Sequence, residues 1–210
     1  MATKRGLGIR ILKMLNPKLT QDAKVSIQEI SIAVGTARDS IVTNKLLRQY
    51  YNGDAIVYGA YIKEYGYDSP ISVSYNTQKN LYYVEMPAFP LNLPNGTGIR
   101  EVGIVGCEGE NTFIPLNPQS RGLYKNLYGS HSQLPRVGYW FEGYNMNFSK
   151  DLSENNNIYM KMIPASEYLS DRDEFYISPD DEADIMRSVL ENYLPISQIP
   201  EDLRNNNISQ

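Results

Sequence analysis

Cysteine and histidine, the side chains that most often attack a substrate or bind a metal, each occur once in this chain, as Cys107 and His131. A nucleophilic cysteine needs a neighbouring base, so these two residues form the one such dyad that the sequence offers. They do not supply the ligands of the usual zinc sites. A single cysteine also leaves no disulfide within the chain, which fits a reducing compartment. The residue types therefore predict a protein that is not an enzyme, with no catalytic residue, metal ion or cofactor.

A glycine-rich stretch, Gly103-Ile-Val-Gly106-Cys-Glu-Gly109, has the look of a phosphate-binding loop. It lacks the Lys-Ser/Thr pair and the following helix that such a loop uses to hold phosphates. Turns between short strands explain these glycines better. A nucleotide-binding role for this stretch stays open as an alternative.

Acidic residues crowd the segment from Asp180 to Asp184, and carboxylate oxygens are the ligands that Mg²⁺ and Ca²⁺ prefer. The same acids directly follow Ser178-Pro179, a typical helix start. Negative charge there stabilises the positive end of the helix dipole. Helix capping is therefore the preferred interpretation, with a metal site as the alternative.

The elements that must position these residues begin with an amphipathic helix. Ser26 and Glu29 have the spacing of a capping box, and apolar residues follow at intervals of three and four until Asn52-Gly53 ends the pattern. Gly35 lies inside this helix. It either lets another element approach closely or is a tolerated defect. A second helix is predicted from Pro179 to about Leu194.

The residues between the two helices predict a β-rich body. Residues 71–75 and 81–86 flank a five-residue loop and are predicted to form a hairpin. Met86 ends it, because prolines follow. Residues 55–62 are predicted to be extended, although a helix fits their pattern as well.

Further strands are predicted at residues 99–105, 137–148 and 158–163. Residues 112–115 are expected to pair with the first of these. The segment 137–148 carries the densest aromatic cluster. Core packing explains the cluster more simply than a base-stacking surface, which needs interleaved basic residues. The fold class predicted is α+β, with antiparallel hairpins flanked by an N-terminal long helix and a C-terminal helix, and with extended terminal arms.

Charge is distributed unevenly along a chain of 210 residues whose net charge is −4. The first 24 residues carry six basic residues and one acid, whereas residues 164–210 carry eleven acids and three arginines. Ends of opposite sign can attract between copies, or the basic end can touch phosphate, and a solvated surface fits equally well. We predict a basic N-terminal arm at 1–24, a single domain at 25–194 and a polar C-terminal tail at 195–210.

The arm is expected to dock on a partner or another subunit, because it is both basic and apolar and Gly6, Gly8 and Pro17 interrupt a long helix. No run of about 18 apolar residues occurs, so no membrane span is predicted. The chain has 17 tyrosines. Tyrosine suits both half-buried strands and protein interfaces.

Several stretches together resemble a known family. They are an early capped helix, the segment Met86-Pro-Ala-Phe-Pro-Leu-Asn-Leu-Pro-Asn-Gly-Thr-Gly-Ile-Arg-Glu-Val102, the aromatic strand at 137–144, and the ending Gln198-Ile-Pro-Glu-Asp-Leu-Arg-Asn-Asn206 after the last helix. This pattern is similar to short head–tail connector or tail-ring structural proteins of podovirus-like bacteriophages, especially crAss-like phages. The resemblance covers about residues 25–207 and contains no catalytic signature.

The resemblance implies a virion protein that is assembled in the host cytoplasm. It implies a homo-oligomeric ring, twelve-fold to match a portal, that contacts the portal and neighbouring tail proteins. DNA passes through the lumen of such a ring without sequence-specific contact. The expected assembly contacts, in the basic arm and in a tail that orders on assembly, are Lys4, Arg5, Arg10, Lys13, Pro200, Glu201, Asp202, Asn205 and Asn206.

Two other classes of function remain alternatives. One is a small soluble enzyme or nucleotide- or metal-binding domain that uses the Gly103–Gly109 turns and the acids near Asp180. The other is a receptor-binding or glycan-binding module built on the aromatic cluster.

Overall fold

The predicted α+β class is confirmed in a computed structural model of the chain. The structure describes residues 3–16, 25–53, 59–93, 98–109, 112–117, 137–150, 152, 157–172 and 174–194. The helices are α1 (Lys4–Leu15), α2 (Ile27–Asn52) and α3 (Pro179–Glu191), with short 3₁₀ turns at Gly59–Tyr61 and Ser166–Tyr168. The strands are β1 (Lys63–Tyr65), β2 (Ile71–Ser72), β3 (Ser74–Asn76), β4 (Leu81–Glu85), β5 (Ile99–Ile104), β6 (Ile114–Pro115), β7 (Gly138–Glu142), β8 (Asn145–Phe148) and β9 (Asn157–Met162).

Helix α2 begins and ends where the sequence predicts. The Ser26 hydroxyl accepts a hydrogen bond from the Glu29 N–H at 3.1 Å, and the Glu29 carboxylate accepts one from the Ser26 N–H at 2.8 Å. This capping box satisfies two N–H groups that the first helical turn leaves unpaired. Gly53 ends the helix with a φ of 72°, a left-handed conformation that glycine adopts without steric cost.

Gly35 marks a close approach to α2. A Cβ atom at this position would lie 2.7 Å from the Ser166 hydroxyl oxygen. Of the two interpretations of this glycine, close approach of another element is therefore the one that the structure supports.

Helix α1 packs against its own chain, whereas the N-terminal arm is predicted to dock on a partner or another subunit. Leu7, Ile11 and Leu15 are fully buried and belong to one apolar cluster with residues of α2 and α3. Gly8 lies against the Ile27 side chain, so the two helices pack closely there. Glycine costs a helix about 1 kcal/mol, but burying three large aliphatic side chains contributes more. Residues 4–15 are therefore part of the core.

The first sheet is centred on β9. Strands β1 and β2 pair with its two halves in antiparallel register, Tyr65 opposite Met160 and Ile71 opposite Ile158. Strand β5 pairs antiparallel with β9 as well, with a register shift between Ile99 and Glu101. Ile158, Tyr159, Met160 and Met162 have no exposed surface, so β9 is the buried middle of this sheet.

The second sheet has the order β3-β4-β8-β7-β6. The hairpin predicted between residues 71–75 and 81–86 is confirmed only in its inner part, as β3 and β4, with Tyr75 opposite Tyr82. Residues 71–72 were wrongly included, because they form β2 and pair with β9 in the first sheet. The predicted pairing of residues 112–115 with 99–105 is wrong in its partner. Strand β6 instead runs parallel to β7, while the Phe113 N–H donates one isolated bond to the Val102 carbonyl at 2.8 Å.

The chain separates into two compact units. A helical unit comprises Met1–Ile62, Leu91–Asn95 and Pro164–Gln210, and a sheet unit comprises Lys63–Pro90 and Gly96–Ile163. Of the segment 55–62 that is predicted to be extended, residues 55–58 lie outside the described residues. The prediction is wrong for Gly59–Tyr61, which form a 3₁₀ turn. The predicted tail, residues 195–210, lies outside them entirely.

Candidate functional site

The residues first considered for catalysis are not brought together in the described part of the chain. Cys107 is exposed, in a turn after β5. His131 lies outside the described residues, so the dyad stays an untested alternative. Where the structure gives side-chain positions, no group of three or more His, Cys, Asp or Glu residues could hold a metal ion.

The glycines of the stretch Gly103–Gly109 have structural roles in strand β5 and in the turn that follows it. Gly103 lies in β5, where a Cβ atom would come within 2.7 Å of the Tyr159 ring. Gly106 and Gly109 have φ values of 90° and 79° and form the turn that follows. The next described residues, 112–117, contain strand β6 and no helix. The stretch therefore lacks the helix N-terminus on which a phosphate loop depends.

The ring that Gly103 accommodates belongs to a polar cluster in the sheet unit. The buried Tyr159 hydroxyl donates a 2.6 Å hydrogen bond to the Glu101 carboxylate, which lowers the pKa of that carboxyl. Burial, and then the bond to Glu101, raises the pKa of Tyr159. Lys161 lies 3.4 Å from Glu101 and 3.5 Å from Glu64, so the cluster joins three neighbouring strands.

Asp181 is the one acid of the 180–184 group that is fully buried. It caps α3, because its carboxylate accepts bonds from the Ser178 N–H at 3.2 Å and the Ser178 hydroxyl at 2.6 Å. It also accepts a 2.8 Å bond from the Tyr61 hydroxyl and forms an ion pair with Lys45. These contacts account for Asp181 without a metal.

The electrostatics of this cluster follow from its contacts. Burial disfavours the charged form of Asp181, but the bonds from Lys45, Ser178 and Tyr61 outweigh it, and the pKa of Asp181 is lowered. Burial first, and then the bond to Asp181, raises the pKa of Tyr61 to about 12. At neutral pH, Asp181 is therefore an anion bonded to a neutral phenol.

Arg38 is a buried cation that the sequence analysis missed. Its guanidinium donates to the Pro164 carbonyl at 2.7 Å, to the Asp39 carboxylate at 2.8 Å and to the Tyr176 carbonyl at 3.3 Å. The signal was present, because position 38 continues the buried positions Val34 and Val42 at intervals of four. A charge on that stripe has to be bonded inside the protein.

The four basic residues expected at assembly contacts all lie on α1, and they divide into two pairs. Lys4 lies 3.8 Å from Asp171, and Arg10 forms an ion pair with Glu182. Arg5 and Lys13 are exposed, and neither has an ion pair with any described residue. The other five candidates, Pro200, Glu201, Asp202, Asn205 and Asn206, lie outside the described residues.

A cavity of about 660 Å³ lies in the helical unit near the start of α3. Its lining includes Tyr176, Ile177 and the paired residues Arg10 and Glu182. These two charges neutralise each other, and Glu174 adds one further carboxylate to the lining. One carboxylate does not make the set of convergent polar groups that fixes a ligand.

Large apolar side chains are exposed on each of the two units and are separate candidate contacts for another protein. Ile32 is 68% exposed, Tyr51 78% and Tyr144 62%. Tyr50 is also exposed and packs edge-on against Tyr51, with ring centroids 5.7 Å apart. The sequence analysis did not single out these residues. For Ile32 a signal was present, because it does not fall on the apolar stripe of α2, whose residues follow one another at intervals of three and four.

No protein-family model matches this chain, and neither does any curated protein. Within the stretches that the structure covers, no helix has both the length and the apolar character needed to cross a bilayer.

Proposed function

We propose that this protein is a virion structural protein, one subunit of a homo-oligomeric ring in the portal–tail connector of a podovirus-like, crAss-like bacteriophage. Such a subunit acts through protein–protein contacts with its own copies, the portal and neighbouring tail proteins, around a channel for DNA. The resemblance in the sequence supports the viral assignment. The exposed apolar side chains support the assembly role.

The exposed side chains fit an assembly role because of their size and type. Tyrosine is enriched at protein interfaces, where its ring supplies apolar area and its hydroxyl finds a polar partner. Tyr50 and Tyr51 stand together at the end of α2, and Tyr144 lies in the turn between β7 and β8. Leaving such rings in water forgoes the free energy that their burial contributes. A subunit that binds neighbours recovers it on assembly.

The unusual ionisable groups of the described residues also fit a structural protein. Asp181, Arg38 and Glu101 each bind groups of their own chain. Strongly perturbed carboxylates often mark catalytic sites, but structural networks perturb them as well. Here the contacts fix the start of α3, the position of α2 and the register of β5 against β9.

The direct test is to locate the protein in purified virions. Mass spectrometry of tailed particles should find it in a fixed ratio to the portal protein, and cryo-electron microscopy should show it as a closed ring between portal and tail. Particles made without its gene should have filled heads and no attached tail. Absence of the protein from purified tailed particles would contradict the proposal.

Two surface variants separate assembly from folding. Tyr51→Ser and Tyr144→Ser should lower the melting temperature by no more than about 5 °C, because each removes one edge-on ring contact, with Tyr50 and with Phe89 respectively. Both should reduce incorporation into particles. Arg48→Ser, at an exposed position one turn before Tyr51, is the matched control and should be incorporated normally. Normal incorporation of both tyrosine variants would argue against an assembly role for these rings.

A further inference from the structure

Helix α1 presents a basic stripe on its outer side, formed by Arg5, Ile9 and Lys13. These residues follow one another at intervals of four, so they share one face of the helix. All three are exposed, whereas Leu7, Ile11 and Leu15 are buried on the opposite side. Helix α1 contains no acid, so nothing within it neutralises this stripe.

Helix α3 presents an acidic stripe, formed by Asp180, Asp184 and Glu191. The spacing of four and then seven residues places them on one face. Asp180 and Glu191 are exposed, and Asp180 has no ion pair with any residue that the structure describes. Arg187 lies between Asp184 at 3.4 Å and Glu191 at 3.9 Å and offsets one charge. The face as a whole remains negative.

The two helices already make one contact of this kind inside the chain, where Arg10 pairs with Glu182. That pair uses neither stripe. Arg5, Lys13 and Asp180 therefore have no ion pair with any described residue, while Arg187 offsets only one of the two charges of Asp184 and Glu191.

We propose that the basic stripe of one copy docks on the acidic stripe of a second copy of this chain. The lengths agree, because Arg5 and Lys13 are about 12 Å apart along α1 and Asp180 and Glu191 about 16 Å apart along α3. Long side chains span that difference. Charge complementarity selects the partner surface, and Ile9 supplies an apolar centre that the contact covers.

The contact uses two different patches of each subunit, so it is heterologous, which is the type of contact that builds a ring when its rotation closes. The inference rests on the proposed function, because a ring of identical subunits requires a head-to-tail contact of this type. It names the faces that meet and their chemistry, which the proposed function leaves open.

Charge reversal tests the contact in the purified full-length protein. One variant carries Arg5→Glu and Lys13→Glu, and a second carries Asp180→Lys and Glu191→Lys. Each should weaken self-association at least about tenfold, because like charges then face each other. A mixture of the two should associate, since each supplies the surface that the other lost. Arg48→Glu, an exposed charge reversal on α2, is the matched control and should associate as the wild type does.

Sedimentation velocity at rising protein concentration measures the association, and thermal melting checks that each variant folds. A disulfide trap provides the second measurement, in a Cys107→Ser background that carries Lys13→Cys with either Glu191→Cys or Asp180→Cys, the two ends of the acidic stripe. Oxidation of one of these two proteins should give a ladder of covalent oligomers, whereas Lys13→Cys alone should not. Wild-type association by both reversal variants, no recovery in the mixture, or no ladder would each overturn the inference.

These outcomes are separable from those of the virion experiments. If the chain forms the ladder but is absent from virions, the proposed contact is supported and the proposed function is contradicted. If the chain forms a ring in virions and both reversal variants still assemble, the proposed function is supported and the proposed contact is contradicted.

Discussion

The hydroxyl of Tyr61 lies 2.8 Å from a carboxylate oxygen of Asp181, although 120 residues separate them in the chain. Lys45 of α2 binds the same carboxylate, and Ser178 binds it from the turn before α3. Asp181 thus holds together three parts of the helical unit while it caps α3.

Replacing Asp181 with Asn should destabilise the protein by about 2–4 kcal/mol, because Lys45 loses its counter-ion and the bonds to a charged acceptor are weakened. Urea unfolding at neutral pH, followed by circular dichroism, measures the difference. Asp180→Asn is the matched control, since Asp180 is the exposed neighbour in the same helical turn. A change within about 0.5 kcal/mol is expected there. Equal effects of the two substitutions would show that the buried contacts do not stabilise the fold.

The contribution of Asp181 should depend on pH in a defined direction. Its pKa in the folded protein is lowered below the ordinary value of 3.8. The unfolded chain therefore binds its proton first as pH falls, and stability decreases from that value down through the folded pKa. The gap in unfolding free energy between wild type and Asp181→Asn should be constant from pH 7 to about pH 5 and shrink below about pH 4. If the gap in unfolding free energy widens as pH falls, the pKa of Asp181 is not lowered in the folded protein.

Gly66 should be far less tolerant of alanine than Gly53, although both have positive φ values of 98° and 72°. A Cβ atom at Gly66 would lie 2.2 Å from the Ile158 carbonyl oxygen, whereas nothing lies within 4 Å of one at Gly53. Gly53→Ala should cost about 1 kcal/mol of backbone strain, and Gly66→Ala should cost more because β9 has to shift. Thermal melting of both variants compares them. If both variants lose a similar amount of melting temperature, the first sheet can accommodate a methyl group at position 66.

Gly103 and Tyr159 should be energetically coupled. Gly103→Ala places a methyl group against the Tyr159 ring and should destabilise by about 1–3 kcal/mol. In a Tyr159→Leu background the ring is gone, so the same substitution should cost much less. A double-mutant cycle from urea unfolding gives the coupling energy. Additive effects would indicate that glycine is required at position 103 for its backbone conformation and not for the space that it leaves to the Tyr159 ring.

Local signals predicted the elements whose ends are capped. The capping box at Ser26 and Glu29 and the Ser178-Pro179 start fixed α2 and α3 to within a few residues, because caps act over a single helical turn. The β3–β4 hairpin was predicted for a similar reason, since a short loop brings neighbouring runs together.

Predictions that depend on distant residues were less successful. Gly6 and Gly8 argue against a helix locally and so predict an arm, but the buried face of α1 is stabilised by packing on α2 and α3. The parallel pairing of β6 with β7 spans more than twenty residues, and no local pattern specifies it. Asp181 was correctly assigned to capping, but its bonds to Lys45 and Tyr61 join segments that the sequence keeps far apart.

The division of the helical unit between both ends of the chain sets the order of events during synthesis. Helices α1 and α2 leave the ribosome first, but α3 follows only after the whole sheet unit has been made. At ordinary translation rates that interval is on the order of ten seconds. Until then the apolar faces of α1 and α2 lack their third helix, so the nascent chain exposes apolar surface that α3 later covers.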